Sequence, residues 1–231
     1  MKIQHLGHSC LLVEAAGTRI LVDPGGFSDA EAVRALRDLD AILLTHQHPD
    51  HADPDLLADV LAAFPDLPVH AEPETAEALR EDDGFADARE AGGQVSALAP
   101  GSSATVGALE VRAVGGRHAV IHPDLPGIGN CGYVITADGE PRLGITGDSL
   151  EAVPEFEGID ALAFAVVAPW SKVSETVEFL RATAPKVALP VHDAVAAPEG
   201  REIFLKHAAN LSPEATELRD WPEDRSVEIA L

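Results

Sequence analysis

Thr45-His46-Gln47-His48-Pro49-Asp50-His51 packs three histidines and an aspartate into seven residues, directly after the apolar run Ala41-Ile42-Leu43-Leu44. Such a run, short and continuous, reads as a buried strand. If the chain stays extended beyond Thr45, His46 and His48 project to the same side, because side chains on a strand repeat with period two. Pro49 then turns the chain and Asp50-His51 follow. Two neighbouring ligand sets therefore come from one segment. Neutral imidazole and carboxylate favour zinc, iron or manganese, and a metal held this way acidifies bound water to a pKa near ~7 in favourable cases. A polar loop with chance histidines is the bland alternative, but H-x-H-x-D-H is far more specific than a lone histidine.

Further ligands are expected where other strands break. His118 follows Val114-Gly115-Gly116-Arg117, Asp148 sits in Thr146-Gly147-Asp148-Ser149, and His192 ends Val187-Ala188-Leu189-Pro190-Val191. Each alone reads equally well as a cap or a satisfied core polar group. Around them the pattern predicts strands at Ile3–Leu6, Ser9–Glu14, Thr18–Asp23, Val69–Ala71, Gln94–Leu98, Leu109–Val114, Gly132–Thr136, Leu143–Thr146, Asp160–Val167, Val187–Val191 and Ser226–Ala230. Helices are expected over Asp29–Arg37, Asp53–Phe64, Pro73–Arg80, Val173–Thr183 and Glu199–Ala208, two of them opening on an acidic residue followed by proline. Two halves emerge, each a run of strands followed by strand–helix alternation, which implies sheets covered by helices on their outer faces.

The chain has 231 residues, enough for a large buried core. Sixteen basic against 39 acidic residues give a net charge of −23, which disfavours polyanionic partners and anionic membranes. The stretch from Asp53 to Glu90 holds 12 acidic and 2 basic residues, so much of that charge is expected on a solvated helical face. Met1-Lys2 runs into the half-polar Ile3-Gln4-His5-Leu6, so no signal peptide is expected, and the longest apolar run, Ala161 to Pro169, is far shorter than the ~20 residues of a spanning helix. Cys10 and Cys131 have no metal or redox spacing and read as reduced, buried thiols of a cytoplasmic protein.

Taken together, H-x-H-x-D-H followed by His118, Asp148 and His192 resembles the metallo-β-lactamase-fold hydrolases over nearly the whole chain. Leu6-Gly7-His8-Ser9-Cys10, Ile20-Leu21-Val22-Asp23-Pro24 and Gly116-Arg117-His118-Ala119-Val120-Ile121-His122 are similar to the subgroup that includes L-ascorbate 6-phosphate lactonase and assorted zinc-dependent hydrolases. The resemblance implies an α/β fold, a four-layer αβ/βα sandwich with two mixed β-sheets flanked by helices, formed as one domain over residues 1–231. It also implies that His46, His48 and His118 bind one metal ion, that Asp50, His51 and His192 bind a second, and that Asp148 bridges them. The expected cofactors are two divalent metal ions, zinc first, with manganese or iron as alternatives.

The expected chemistry is hydrolysis of an ester, lactone or phosphoester in a small soluble substrate by a hydroxide held between the two cations, with Asp50 and Asp148 as the catalytic carboxylates. Either a protonated Asp50 or a metal-bound water would serve the leaving group. Asp23 is placed to orient a ligand histidine, or to cap the turn at Pro24. His8 and His122 are candidates for substrate contact with structural roles as the alternative, and Trp170 is either a cover over the substrate or core. His5, His70 and His207 are read as structural. The 39 residues after His192 leave no room for the helical domain of glyoxalase II enzymes. No basic cluster suits RNA or DNA, so the expected partner is a small molecule, with no nucleic acid and no membrane, and the oligomeric state stays open. Two other readings remain: a non-catalytic metal-binding or ligand-sensing module, and a nucleic-acid phosphodiesterase.

Overall fold

The computed structural model describes residues 1–231. In chain order its strands are β1 (Lys2–His5), β2 (Leu11–Ala15), β3 (Thr18–Val22), β4 (Ala41–Leu44), β5 (Pro68–Ala71), β6 (Gln94–Ala97), β7 (Ser103–Val106), β8 (Leu109–Gly115), β9 (Cys131–Thr136), β10 (Leu143–Ile145), β11 (Ala161–Ala165), β12 (Val187–Val191), β13 (Glu217–Leu218) and β14 (Ser226–Glu228). The α-helices are α1 (Ala30–Arg34), α2 (Pro54–Ala63), α3 (Pro73–Glu81), α4 (Ala86–Ala91), α5 (Val173–Thr183) and α6 (Pro198–Leu211). One seven-stranded sheet runs β14-β1-β2-β3-β4-β5-β6 and the other β13-β12-β11-β10-β9-β8-β7, each mixing parallel and antiparallel neighbours.

Alternation along the strands divides the apolar side chains among three layers of core. In β2, Leu11 and Val13 face the second sheet and pack with Val111, Tyr133 and Ile135, whereas Leu12 faces outward. That outer face is covered by α1 to α4 through Val33, Leu56, Leu57, Val60, Ala76, Leu79 and Ala88. On the far side, Leu162, Phe164 and Ala188 pack under α5 and α6 through Phe179, Leu180 and Ala208. The result is the helix–sheet–sheet–helix sandwich that the pattern of elements implied.

Several boundaries differ from the sequence expectation. Helix α1 stops at Arg34, because Leu36 and Leu39 turn inward to the core beneath it. Strands β7 and β13 and helix α4 were not expected: β7 is half polar, β13 is two residues long, and α4 is a six-residue helix of mostly small and charged residues. The H-x-H segment does not continue β4. The ladder ends at Leu44, and Thr45 to Pro49 leave it as a loop that hands its carbonyl at Thr45 to the amide of Cys131 in the opposite sheet.

Candidate metal centre

Every side chain that the sequence singled out for the site follows the carboxyl end of a strand: His8 after β1, Asp23 after β3, His46 to His51 after β4, His118 after β8, Asp148 after β10, Trp170 after β11 and His192 after β12. Carboxyl ends are where α/β sheets leave room for ligands. His8, Asp23 and His192 adopt left-handed φ values of 52°, 45° and 63°. Such backbone costs of order 1–3 kcal/mol per residue and persists where surrounding contacts over-determine it.

The side chains form two groups, each able to hold a metal ion: His46, His48, His118 and Asp148, and beside it His8, Asp50, His51 and His192. Asp148 joins them. Its Oδ1 lies 3.0 Å from His51 Nε2, and its Oδ2 lies 3.3 Å from His118 Nε2 and 3.2 Å from His192 Nε2.

The outer nitrogens of these rings are already engaged. His51 Nδ1 donates to Asp23 Oδ2 at 2.8 Å, His118 Nδ1 to the carbonyl of Ala119 at 2.6 Å, and His192 Nδ1 to the carbonyl of Val167 at 2.9 Å. Thr45 gives its only hydroxyl hydrogen to Asp23 Oδ2 at 2.7 Å, so its oxygen accepts from His46 Nδ1 at 3.1 Å. With the outer nitrogen carrying its hydrogen, each of these four rings turns Nε2 toward the others, and that nitrogen is a lone pair whenever the ring is neutral. His46 Nε2 faces His48 Nδ1 at 3.1 Å, which makes Nδ1 the inward atom of His48.

With the rings neutral, acceptors confront acceptors. The Nε2 atoms of His51, His118 and His192 and Oδ1 of Asp148 are buried with no aligned hydrogen-bond partner, although each of the three nitrogens lies 3.0 to 3.3 Å from an oxygen of Asp148. Bare lone pairs at such distances repel, so the cavity calls for positive charge between them. The donor set of imidazole nitrogens and carboxylate oxygens is that of a zinc, iron or manganese site, and these residues fit such a group.

The electrostatics agree. Burial, and then the neighbouring imidazoles, hold His46 and His48 below the ordinary histidine pKa, so both are neutral. Burial also opposes charge on His51 and His192, but Asp148 outweighs it at both, with Asp23 adding at His51, and both pKa values are raised. Burial opposes ionisation of Asp148, yet the three facing histidines hold it well below the usual carboxylate range. Asp50 is similarly opposed by burial and carried down to about 2 by His8 and His51.

Thr45 and Asn130 were not identified from sequence. Asn130 accepts from the amide of Asp148 at 2.9 Å and donates to the carbonyl of Thr146 at 3.1 Å, fixing the loop that carries Asp148. Its signal was its position in Gly129-Asn130-Cys131, just ahead of β9. Gly147 is required between them, with φ +57° and no room for a side chain beside Asn130 and Thr45.

The remaining candidates separate clearly. Asp23 orients His51, as well as accepting from the amide of Thr45 at 2.8 Å. The amide of Ala194 donates to His8 Nδ1 at 3.2 Å, so the proton of His8 sits on Nε2 and points to Asp50 Oδ2 at 3.2 Å. Trp170 is half-buried and donates from Nε1 to Asp148 Oδ2 at 2.9 Å. His122 lies out on the loop after His118, where its Nδ1 accepts from the amide of Asp124 at 3.1 Å. His5 stacks on Trp221 with ring centroids 4.9 Å apart, His70 bonds Ser96, and His207 is exposed on α6, so all three stand outside the cluster.

Comparison with known proteins gives four findings. The family model described as a beta-lactamase superfamily domain matches residues 2–192. Protein Rv0786c of Mycobacterium tuberculosis is 40% identical over 228 residues, covering 98% of this chain and 99% of that protein. A UPF0173 metal-dependent hydrolase of Xanthobacter autotrophicus is 34% identical over 158 residues, covering 64% and 62% of the two chains. Among solved structures, the metallo-beta-lactamase fold protein YhfI from Bacillus subtilis superposes with a TM-score of 0.68 at 18% identity over 98% of each chain, a likeness of fold.

Proposed function

Because the chain belongs to the beta-lactamase superfamily, we propose that it is a metal-dependent hydrolase, one domain over residues 1–231, with two divalent metal ions. His46, His48 and His118 would hold the first ion and Asp50, His51 and His192 the second, with Asp148 shared between them. Zinc is the first choice, and manganese and iron suit the same donors. The observation that carries this reading is the set of buried Nε2 atoms of His51, His118 and His192 gathered around Asp148 with no aligned hydrogen-bond partner. The relative from Xanthobacter autotrophicus, named a metal-dependent hydrolase, supports it.

When bound, two such cations acidify water into a nucleophile at neutral pH and stabilise the negative charge that develops on the substrate. The chain's own residues prepare that chemistry. Asp23 and Thr45 fix the tautomers of His51 and His46, so that both present lone pairs inward. Trp170 holds one oxygen of Asp148 through its indole N–H. Asp50 is ionised at neutral pH, which favours water over a protonated Asp50 as the source of the leaving-group proton.

The bond cleaved is an ester, lactone or phosphoester in a small soluble substrate. The net charge of −23 speaks against nucleic acid, and no helix is long and apolar enough to cross a membrane. Cys10 and Cys131, both free and buried, suit the cytoplasm. The test is elemental analysis of purified protein, with about two metal equivalents per chain expected. A screen of esters, lactones and phosphoesters with zinc-, manganese- and iron-loaded protein would accompany it. Absence of bound transition metal overturns the proposal, and full occupancy without turnover points to a ligand sensor instead.

A further inference from the structure

A cavity of about 390 Å³ opens beside His48 and His118, and its remaining wall is the loop from Ala119 to Ile128. That loop concentrates apolar surface: Val120, Ile121 and Leu125 are 71%, 44% and 54% exposed, three of the eight large apolar residues the chain leaves in solvent. Three exposed apolar side chains in one short loop at the mouth of a polar cluster mark a binding surface. The loop is also held in shape. The amide of His118 donates to the carbonyl of Ile128 at 3.2 Å, that of Ala119 to the carbonyl of Asp148 at 2.8 Å, and that of Gly129 to Glu74 at 2.9 Å.

Charge narrows the occupant further. No lysine or arginine lines this cavity, nor the neighbouring one of about 580 Å³, which shares Ala119 and Val120 and adds Trp170 with Glu151, Glu175 and Glu178. Lys172 is spoken for by Glu175 at 2.9 Å. Neither lining offers a lysine or arginine to a phosphate at the far end of a substrate, and three carboxylates line the second cavity, unlike the expectation from a phosphorylated lactone.

We propose that the loop 119–128 receives the apolar acyl group of a neutral carboxylic ester or lactone, an inference that rests on the hydrolase reading above. Water adds across the acyl C–O bond: its oxygen joins the acyl carbon, the C–O bond to the alcohol breaks, and the alkoxide oxygen leaves with a proton from water.

The experiment is calorimetric titration of zinc-loaded protein with acetyl, butanoyl, hexanoyl and octanoyl hydroxamates, alongside hydrolysis of the matching p-nitrophenyl esters. Affinity is expected to rise roughly two- to fourfold per added methylene until the cavity is filled. Adipoyl monohydroxamate, with a carboxylate on the tail, is expected to bind at least about tenfold more weakly than the hexanoyl probe. The exposed positions allow a V120S/L125S variant to be checked for unchanged melting, and its chain-length slope should be flat. A flat slope in the parent protein, a carboxylate-tailed probe that binds as well, or a slope that survives in V120S/L125S overturns the proposal. So does a variant whose only loss is co-sedimentation with phosphatidylcholine vesicles, which would make the loop a lipid contact. A protein that hydrolyses esters without regard to chain length loses the pocket and keeps the hydrolase reading. One that shows the slope with hydroxamates but turns over no ester, metal in place, does the reverse.

Discussion

Asp23 Oδ2 accepts from His51 Nδ1 at 2.8 Å, and the same oxygen takes the hydroxyl hydrogen of Thr45, so one buried carboxylate at the end of β3 sets two imidazole tautomers at the end of β4. The strands are parallel neighbours, which is why residues 28 apart in sequence meet. In Asp23→Asn the oxygen that accepts from the Thr45 amide stays, and an NH₂ donor replaces the other. His51 must then accept at Nδ1 and carry its proton on Nε2, where a lone pair is needed. The variant should lose about 1–3 kcal/mol of stability. Its affinity for zinc should fall about 10–100-fold, read by competition with a chelator. Parent-like zinc affinity in D23N would show that the tautomer is not what Asp23 supplies.

Gly25 tests the site from behind, through the backbone of Asp50 and His51 and not through their side chains. A Cβ built there would lie 1.8 Å from the carbonyl oxygen of Asp50 and 2.4 Å from the amide nitrogen of His51. Backbone on both sides leaves only movement of the Asp50-His51 peptide as relief. Gly25→Ala should therefore lower the melting temperature, at the upper end of the ~1–3 kcal/mol typical of overpacking, and weaken binding of the second metal equivalent more than tenfold. Zinc stoichiometry and melting equal to the parent would mean that the loop yields at no cost.

What was legible in the sequence follows from how local each signal is. H-x-H-x-D-H needs only its own spacing, and the ends of β8, β10 and β12 announce His118, Asp148 and His192 because an apolar run stops there at a polar residue. Sandwich layering follows from alternation in strands such as β2. Thr45 and Asn130 escaped, since their roles are hydrogen bonds to groups 22 and 18 residues away and neither residue type is unusual in a turn. His8 was weighed as a substrate contact or a structural group. The decisive fact, that the amide of Ala194 occupies its Nδ1 and turns Nε2–H toward Asp50, joins residues 186 apart and has no trace in local sequence.

Trp170 joins the carboxylate at the centre of the cluster to the apolar wall outside it. Its indole N–H donates to Asp148 Oδ2 at 2.9 Å, and its ring lines the larger of the two cavities beside the loop. Trp170→Phe keeps the apolar wall and removes the donor. A hydrogen bond to a charged group is worth about 1.5–3 kcal/mol, so kcat should fall roughly tenfold or more while KM and metal content change little. A rise in KM at constant kcat would assign Trp170 to substrate binding alone.

Proton release on metal binding gives a pH test with a definite sign. His51 and His192 are raised above the ordinary histidine value by Asp148, so in metal-free protein each holds a proton where a cation would sit; His46 and His48 are lowered and hold none. Groups raised on folding stabilise the metal-free protein fully below the ordinary pKa of about 6.5, and that contribution is lost as pH climbs through the raised values. Asp50 and Asp148 work in the other direction, contributing above the ordinary carboxylate range and losing their contribution only as pH falls toward about 2, the value for Asp50. Metal must displace the protons of His51 and His192, so zinc affinity should rise with pH by up to about tenfold per unit for each proton displaced. The gap in melting temperature between zinc-loaded and metal-free protein should widen from pH 6 to pH 8. Titration calorimetry in buffers of different ionisation enthalpy should count about one to two protons released per chain at pH 7. No release at that pH would mean that His51 and His192 are already neutral, and that Asp148 does not hold the charge its geometry implies.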